Sequence, residues 1–441
     1  MAEIQPFQAV TYNTDHGVDV SDRIAPPYDV LDEKSKGQLL RQSAQNIVTI
    51  DLPHLPAKSV GPTEVYRQAG QVYRKWLSEK ILTRRQNPAL FVYQQTFSLG
   101  PRVFKRRGLV ANVHLQSMGT SKAGRGSIHP HEQVFPAAKE DRLKLMYAAE
   151  AQLSAIFGIY SDPDQSIAGL LSSVIDGRQP LLYGTTLNDQ VKHELWAVEE
   201  PQQVAGFRTA MAHKDLFIAD GHHRYQTALT YAQQKKSDCK NSGNANYCLF
   251  VLVALEDPGM IVLPTHRVLT GLTGFSTSRL KEIVHAQDNL NIRKTPFGPG
   301  QLEQLAASLG QGGPHEIGLL SGPYCHILST HGDHDPLKDL FPNHPKSWRL
   351  LDVAILHEIW IERVFRPNFG GSTIHSSYTA NLSQVAEQIQ LKPPGNSLGL
   401  ILRAPSLESI HQVSLSGHLM PQKSTFFYPK VATGLVINPL S

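Results

Sequence analysis

The stretch Leu216-Phe217-Ile218-Ala219-Asp220-Gly221-His222-His223-Arg224-Tyr225 constrains this chain more tightly than any other ten residues. Leu216 to Asp220 reads as a short strand. Gly221 lets the backbone turn tightly or approach a ligand, and a helical pattern then runs from His222 to about Lys236. A strand feeding straight into a helix needs a sheet on one side and a helical layer on the other. Similar signals recur along the chain. Tyr66 to Leu82 places Val72, Trp76 and Leu77 near helical spacing, and Lys139 to Ala151 predicts a second helix. Ala89 to Phe97, Gly108 to Leu115 and Leu153 to Tyr160 predict strands. Cys248 to Leu255 and Ile261 to Leu269 predict a strand pair around the turn Asp257-Pro258-Gly259.

Beyond Ser276 the texture changes to two amphipathic helices and two strands broken by Gly-Pro punctuation. Residues 332–346 are polar and proline-rich and read as a linker or surface loop. Trp348 to Phe365 predicts a long helix. The expected fold class is therefore α+β with a mixed sheet: a core over residues 1–270, a smaller α/β unit over 271–345, and a helical and strand segment over 346–441 that is able to pack back on the core.

A chain of 441 residues with 41% hydrophobic residues can bury a large core, and its 18% charged residues exclude an acidic, disordered chain. With 42 basic and 38 acidic residues, the net charge of +4 supplies no general attraction to nucleic acid. A basic-patch reading rests only on Arg84, Arg85, Lys105, Arg106 and Arg107, short clusters with no zinc-finger or RNA-binding signature beside them. Cys239, Cys248 and Cys325 are odd in number and lack metal-ligand spacing, which fits a reducing compartment. No basic-then-apolar leader precedes the fold and the longest clean apolar run is Cys248 to Leu255, so a cytoplasmic protein without a membrane span is expected.

The chemistry is expected at the Asp220 junction. The first amides of a helix lack internal acceptors and carry the positive end of the helix dipole, which suits phosphate. Arg224 adds a planar fork that can hold phosphate oxygens in pairs. Asp220 would repel a bare phosphate, so a divalent ion or a substrate hydroxyl is the natural intermediary. Equally, Asp220 can serve simply as a helix N-cap, worth about 1 kcal/mol. His222 and His223 point about 100° apart on a helix and are poorly placed to share one metal. His129 and His131 are two apart, on one face of an extended chain, and keep a metal-dependent hydrolase open, with Asp220 or His223 completing the ligand set.

Glu132 follows the glycine-rich, basic stretch Gly119 to Ser127 and is a candidate general base under a closing loop. Near the C-terminus, Gly417 and Lys423-Ser424 match the spacing of G-x-x-x-x-G-K-S/T. Gln422 stands where the second glycine should be and Pro421 removes an amide donor, so the segment is not a P-loop. Lys423, Ser424, Thr425 and Lys430 remain anion donors.

Ala25-Pro26-Pro27-Tyr28-Asp29-Val30, His131-Glu132, Lys139-Glu140-Asp141-Arg142-Leu143, Ile218 to Leu229, Pro264-Thr265-His266-Arg267 and Met420 to Lys430 resemble, in order, the signatures of the bacterial and archaeal family called domain of unknown function 1015. Asp220-Gly221-His222-His223-Arg224-Tyr225 is also similar to the phosphate-binding motif of the ParB and sulfiredoxin-like superfamily, which includes free-serine kinases. His222 stands where sulfiredoxins carry their cysteine, so thiol repair is excluded. The resemblance implies a ParB/sulfiredoxin-like core. It also implies that Gly221, His222, His223 and Arg224 hold nucleotide phosphates, and that Asp220 touches magnesium or the acceptor hydroxyl. The expected activity is a phosphotransferase using magnesium and a nucleoside di- or triphosphate on a small hydroxylated metabolite. A nucleotide-responsive switch or ParB-like DNA-binding protein is the alternative.

Overall fold

The computed structural model describes all residues except 1, 14–16, 120–126, 133, 135, 238–242, 323, 332–334, 391–394 and 441. Cys239 and most of the glycine-rich stretch after Gly119 lie outside the described residues. The chain forms two compact units, Met1–Ile261 with Pro429–Ser441, and Val262–Tyr428. The last thirteen residues belong to the first unit, and residues 262–428 form the second.

The first unit is a mixed α/β structure built on ten strands: β1 Ile4–Gln5, β2 Val18–Asp19, β3 Leu90–Leu99, β4 Arg102–His114, β5 Ile128–His129, β6 Ile156–Tyr160, β7 Leu182–Thr185, β8 Lys192–Val198, β9 Leu216–Asp220 and β10 Tyr247–Ala254. Their order is β2-β7-β8-β3-β4-β10-β6-β9-β5, with β1 added to β4. The pairs β7–β2, β10–β6 and β9–β5 are parallel and the other pairs antiparallel. The central strands β6 and β10 are buried almost throughout, as a sheet covered on both faces requires.

The longer helices are α1 Glu33–Gln42, α2 Thr63–Ser78, α3 Pro136–Ala149, α4 Ser166–Ile175, α5 Pro201–Met211 and α6 His222–Ser237, and a single turn Val48–Asp51 carries Asp51. On α2 the buried face is Tyr66, Ala69, Gly70, Tyr73 and Trp76, a seam of helical period in which the tyrosines and the glycine matter more than Val72 or Leu77. Gly70 is where α2 meets α3. A Cβ there would lie 2.1 Å from the carbonyl oxygen of Ala148. Gly70→Ala is expected to cost about 1–3 kcal/mol, read as a lower urea midpoint with an unchanged slope.

The basic cluster at 105–107 is not an exposed patch throughout. It lies within β4, where alternation sends Arg106 to the opposite face from Lys105 and Arg107. Arg106 is fully buried, donates to Gln95 Oε1 and the Pro429 carbonyl, and lies 4.7 Å from the Phe157 ring centroid. Burial pulls its pKa down to about 10. Arg85 pairs with Glu199. The cluster is thus partly structural rather than an open stripe of charge.

His193, also buried, contacts Tyr93 Oη at 2.6 Å through Nδ1 and Thr186 Oγ1 at 3.1 Å through Nε2. Burial, aided by the Arg106 charge, pushes its pKa from 6.5 down to about 3. Between those values the unfolded chain binds the proton and the folded one does not. The contribution of His193 is therefore complete above about pH 6.5 and is lost as pH falls toward 3. A His193→Gln variant should show a shallower fall of Tm on acidification across that window.

The second unit carries a six-stranded sheet: β11 His266–Thr270, β12 Leu290–Lys294, β13 Ile317–Ser321, β14 Tyr324–Thr330, β15 His375–Thr379 and β16 Ser397–Ile401, in the order β12-β14-β13-β16-β11-β15, antiparallel at every join. The turn at Asp257 forms, with Met260 N–H donating to the Asp257 carbonyl. The expected strand pair does not, because β10 is central in the first sheet and β11 belongs to the second. The helix expected over Trp348 to Phe365 is interrupted: Trp348 lies in the short helix Lys346–Arg349, Leu351 is extended, and the helix resumes at Asp352, with Leu356–Phe365 π-helical. Among the described residues no helix is long and apolar enough to cross a membrane.

Candidate functional site

Strand β9 lies between β6 and β5, and its pairing with β6 slips between Ile218 and Asp220, so that Ala219 is the extra residue of a bulge. Bulges bend a strand and re-aim its last side chain. Gly221 follows with φ +99°, a conformation that side chains with a Cβ adopt at a cost. Its carbonyl accepts the first helical hydrogen bond, from Tyr225 N–H at 3.0 Å, so α6 begins immediately after the strand.

Asp220 is held by two cations. Arg224 Nη2 donates to its Oδ2 at 2.6 Å, and Lys430 Nζ donates to Oδ1 at 2.8 Å. Arg224 also donates to the Ala155 carbonyl at the start of β6. Its side chain is only 11% exposed. Burial opposes its charge, but the carboxylates of Asp220, Asp29 and Asp51 and the Tyr28 ring hold its pKa above the usual value. Arg224 is therefore a fixed cation with two partners already in place, rather than a loose surface fork.

His222 is buried against His131, their rings 4.7 Å apart and nearly perpendicular. Its Nε2 accepts from the His131 backbone N–H at 3.2 Å, which fixes that nitrogen as the unprotonated one. Burial lowers the His131 pKa, while Glu132, Asp220 and Lys430 all act electrostatically on its ring. Glu132 thus lies in the same charged neighbourhood as Asp220. His223 is half-buried in the first helical turn. His129 takes a separate environment, stacked on Phe217 with Nε2 3.2 Å from Asp215 Oδ1.

Lys423, Ser424 and Thr425 belong to the second unit, whereas Lys430 belongs to the first. Lys423 has φ +54°, its carbonyl accepts from Arg267 Nη2 at 2.9 Å, and Ser424 Oγ donates to the Pro421 carbonyl. The lysine brought to Asp220 is accordingly the last residue of the Met420 to Lys430 signature.

A second buried network adjoins the first. Arg142, on α3, donates through Nε to Asp141 Oδ2 at 2.7 Å and through Nη1 to the Asp51 carbonyl at 2.6 Å. Its guanidinium lies 3.9 Å from the Tyr28 ring centroid. Asp51 accepts from Ser154 Oγ at 2.9 Å, and Asp141 accepts from Tyr66 Oη at 2.7 Å. Burial raises the pKa of Asp51, while Arg142 and Arg224 oppose that rise. Reasoning from the sequence read Lys139, Asp141 and Arg142 either as first-turn helix charges or as pocket lining, and placed no role on Asp51. The signal available was that Tyr28-Asp29 and Asp141-Arg142 sit in motifs with costly charges beside apolar residues.

Between the two networks is a cavity of about 40 Å³ lined by Asp51, Arg142, Ser154, Arg224 and Cys248, among others. That is room for a few waters and well below the roughly 300 Å³ of a small-molecule site. No group of three or more His, Cys, Asp or Glu residues able to hold a metal occurs among the described residues.

No curated protein matches the chain. Among solved structures, a free serine kinase in complex with AMP is 14% identical with a TM-score of 0.32, covering 70% of this chain and 89% of that one. A C-terminally truncated SbnI from Staphylococcus aureus is 12% identical with a TM-score of 0.33, covering 71% and 84%. A conserved hypothetical protein from Pyrococcus furiosus is 14% identical with a TM-score of 0.32, covering 70% and 92%. At these TM-scores superposition alone does not establish a common fold. The model of the family described as protein of unknown function (DUF1015), however, matches residues 4–354, and the chain belongs to that family.

Proposed function

We propose that this protein is a nucleotide-dependent phosphotransferase acting on a small hydroxylated metabolite in the cytoplasm, with its first unit a ParB/sulfiredoxin-like core. The observation that carries the reading is the junction at Asp220: a bulged strand end, a left-handed glycine, a helix N-terminus and two fixed cations meet at one carboxylate. Phosphoryl transfer asks for positioning and charge neutralisation more than for covalent chemistry, and these groups supply both. The amides at the start of α6, with Gly221 permitting close approach, receive the phosphates. His223, Arg224 and Lys430 supply positive charge. His222 acts mainly through His131, which it positions.

Asp220 is the residue that would hold magnesium. The ion supplies charge neutralisation between this carboxylate and the nucleotide phosphates. Glu132 is the proposed base for the acceptor hydroxyl. The cavity beside Arg224 is solvent-sized, so the nucleotide approaches on the outer side of Asp220 rather than through it.

A thermal-shift screen against ATP, ADP, CTP, GTP and pyrophosphate, with and without magnesium, tests the reading. A ligand at a hundredfold excess over its Kd stabilises by about 2.7 kcal/mol, which is a rise of several degrees. The rise should vanish in Arg224→Ala. No shift with any nucleotide would remove the proposal.

A further inference from the structure

A separate cavity of about 550 Å³ opens at the far end of β6 from Asp220. Strand β6 begins beside Arg224, whose guanidinium binds the Ala155 carbonyl, and ends at Tyr160, roughly 16 Å away at the rise of a strand. Because β6 and β10 run parallel, their carboxyl ends open at the same edge of the sheet. The crevice outside such ends is a recurrent ligand position in α/β sheets. The loops that follow these two strands, together with β4 and α4, form its walls, and its volume falls in the range of small-molecule sites.

Its charges are of both signs and are segregated. Lys105 and Arg107 project from one face of β4, while Asp162, Glu256 and Asp257 come from the two loops. Arg107 spends Nε on Gln94 and Nη1 on Ser172, at 2.9 Å each. Its other terminal nitrogen and the Lys105 ammonium have no partner among the described residues. The three carboxylates accept mainly from neutral groups. Asp162 takes the amides of Ile167 and Ala168, Glu256 takes Ser161 Oγ and the Asp162 amide, and Asp257 takes the amides of Arg107 and Gly259. The one cation paired with them among the described residues is Lys214, 3.8 Å from Asp162. Tyr160 is buried with a hydroxyl that has no hydrogen-bond partner among the described residues and feels the charges of all three carboxylates. Leu171, Ala254 and Pro258 give the cavity an apolar wall.

A purely anionic ligand would face three carboxylates, and a purely cationic one would face Lys105 and Arg107. We propose that this cavity binds a small zwitterion of the α-amino-acid type. Its carboxylate lies toward Lys105 and Arg107, its ammonium toward the Glu256–Asp257 loop, and its side chain on the apolar wall. The assignment does not depend on the nucleotide reading at Asp220.

Thermal shift and calorimetry on the full chain with a panel of L-α-amino acids at millimolar concentration test it. Each binder is compared with its decarboxylated amine and its deaminated acid. The expected result is that at least one amino acid binds while both single-charge analogues fail. Lys105→Ala and Arg107→Gln should each weaken it about tenfold or more, the loss of a charged hydrogen bond. Ala168→Phe, which fills the cavity from α4, should abolish binding with the far-ultraviolet circular dichroism unchanged, and Arg224→Ala should leave binding intact. The proposal is overturned if no amino acid binds, if the acid or amine alone binds equally well, or if folded Lys105→Ala and Ala168→Phe bind as the native protein does.

Discussion

Asp220→Asn should keep the nucleotide-dependent rise in unfolding midpoint while losing turnover by on the order of a hundredfold or more, the usual scale for removing one group that acts in the transition state. The reason lies in its charge. The native carboxylate sits between Arg224 and Lys430 and offsets part of the positive field that a polyphosphate would meet. An amide removes the repulsion between Asp220 and phosphate but leaves both cations, so nucleotide affinity holds or increases. What disappears is the anionic oxygen able to engage magnesium or orient an acceptor hydroxyl. The check is nucleotide consumption with a pool of hydroxylated metabolites, serine included, measured beside thermal shift on the same preparation. Unchanged turnover in Asp220→Asn would remove this carboxylate from the chemistry and leave it the role of holding Arg224 and Lys430 in place.

The largest effect on stability is expected at Arg142. Its guanidinium is buried, covers the Tyr28 ring and is shared between Asp141 and the Asp51 carbonyl. Removing one partner of such a network strands the others without water, which costs about 3–5 kcal/mol. Arg142→Ala should therefore lower the urea midpoint steeply. The double variant Arg142→Met with Asp141→Asn should recover part of the loss, because it removes a stranded charge together with its partner. An Arg142→Ala protein as stable as the native one would show that water fills the neighbouring cavity and replaces the guanidinium.

How far the sequence could be read depended on whether a signal was local. The strand from Leu216, the turn at Gly221 and the helix from His222 are local: apolar run, glycine and helical period are near neighbours in the chain, and each appears where the pattern places it. The strands read at Ala89, Gly108, Leu153 and Cys248 follow for the same reason, as their apolar runs allow little else, although the second begins earlier, at Arg102, through the basic cluster. Arg106 shows the limit. Three consecutive basic residues look like a solvated face, yet alternation along a long strand buries the middle one, and nothing in the tripeptide reveals that Gln95 and the Pro429 carbonyl await it.

The Asp257 turn shows a second limit. Its turn chemistry was legible, but strand partners are chosen by distant chain, and the strand beyond it was taken by another sheet. At the candidate site, sequence alone determined the strand–glycine–helix junction and the cluster of polar groups around it, since backbone geometry and helix-end electrostatics are properties of neighbours in the chain. Only the tertiary structure decided that Lys430 is the lysine at Asp220, that Arg224 is already held by Ala155, and that Asp51 and Arg142 stand behind them. Those pairings join residues up to 210 positions apart. Charge can be counted in a sequence, but its partner is fixed by the fold that removes both from water.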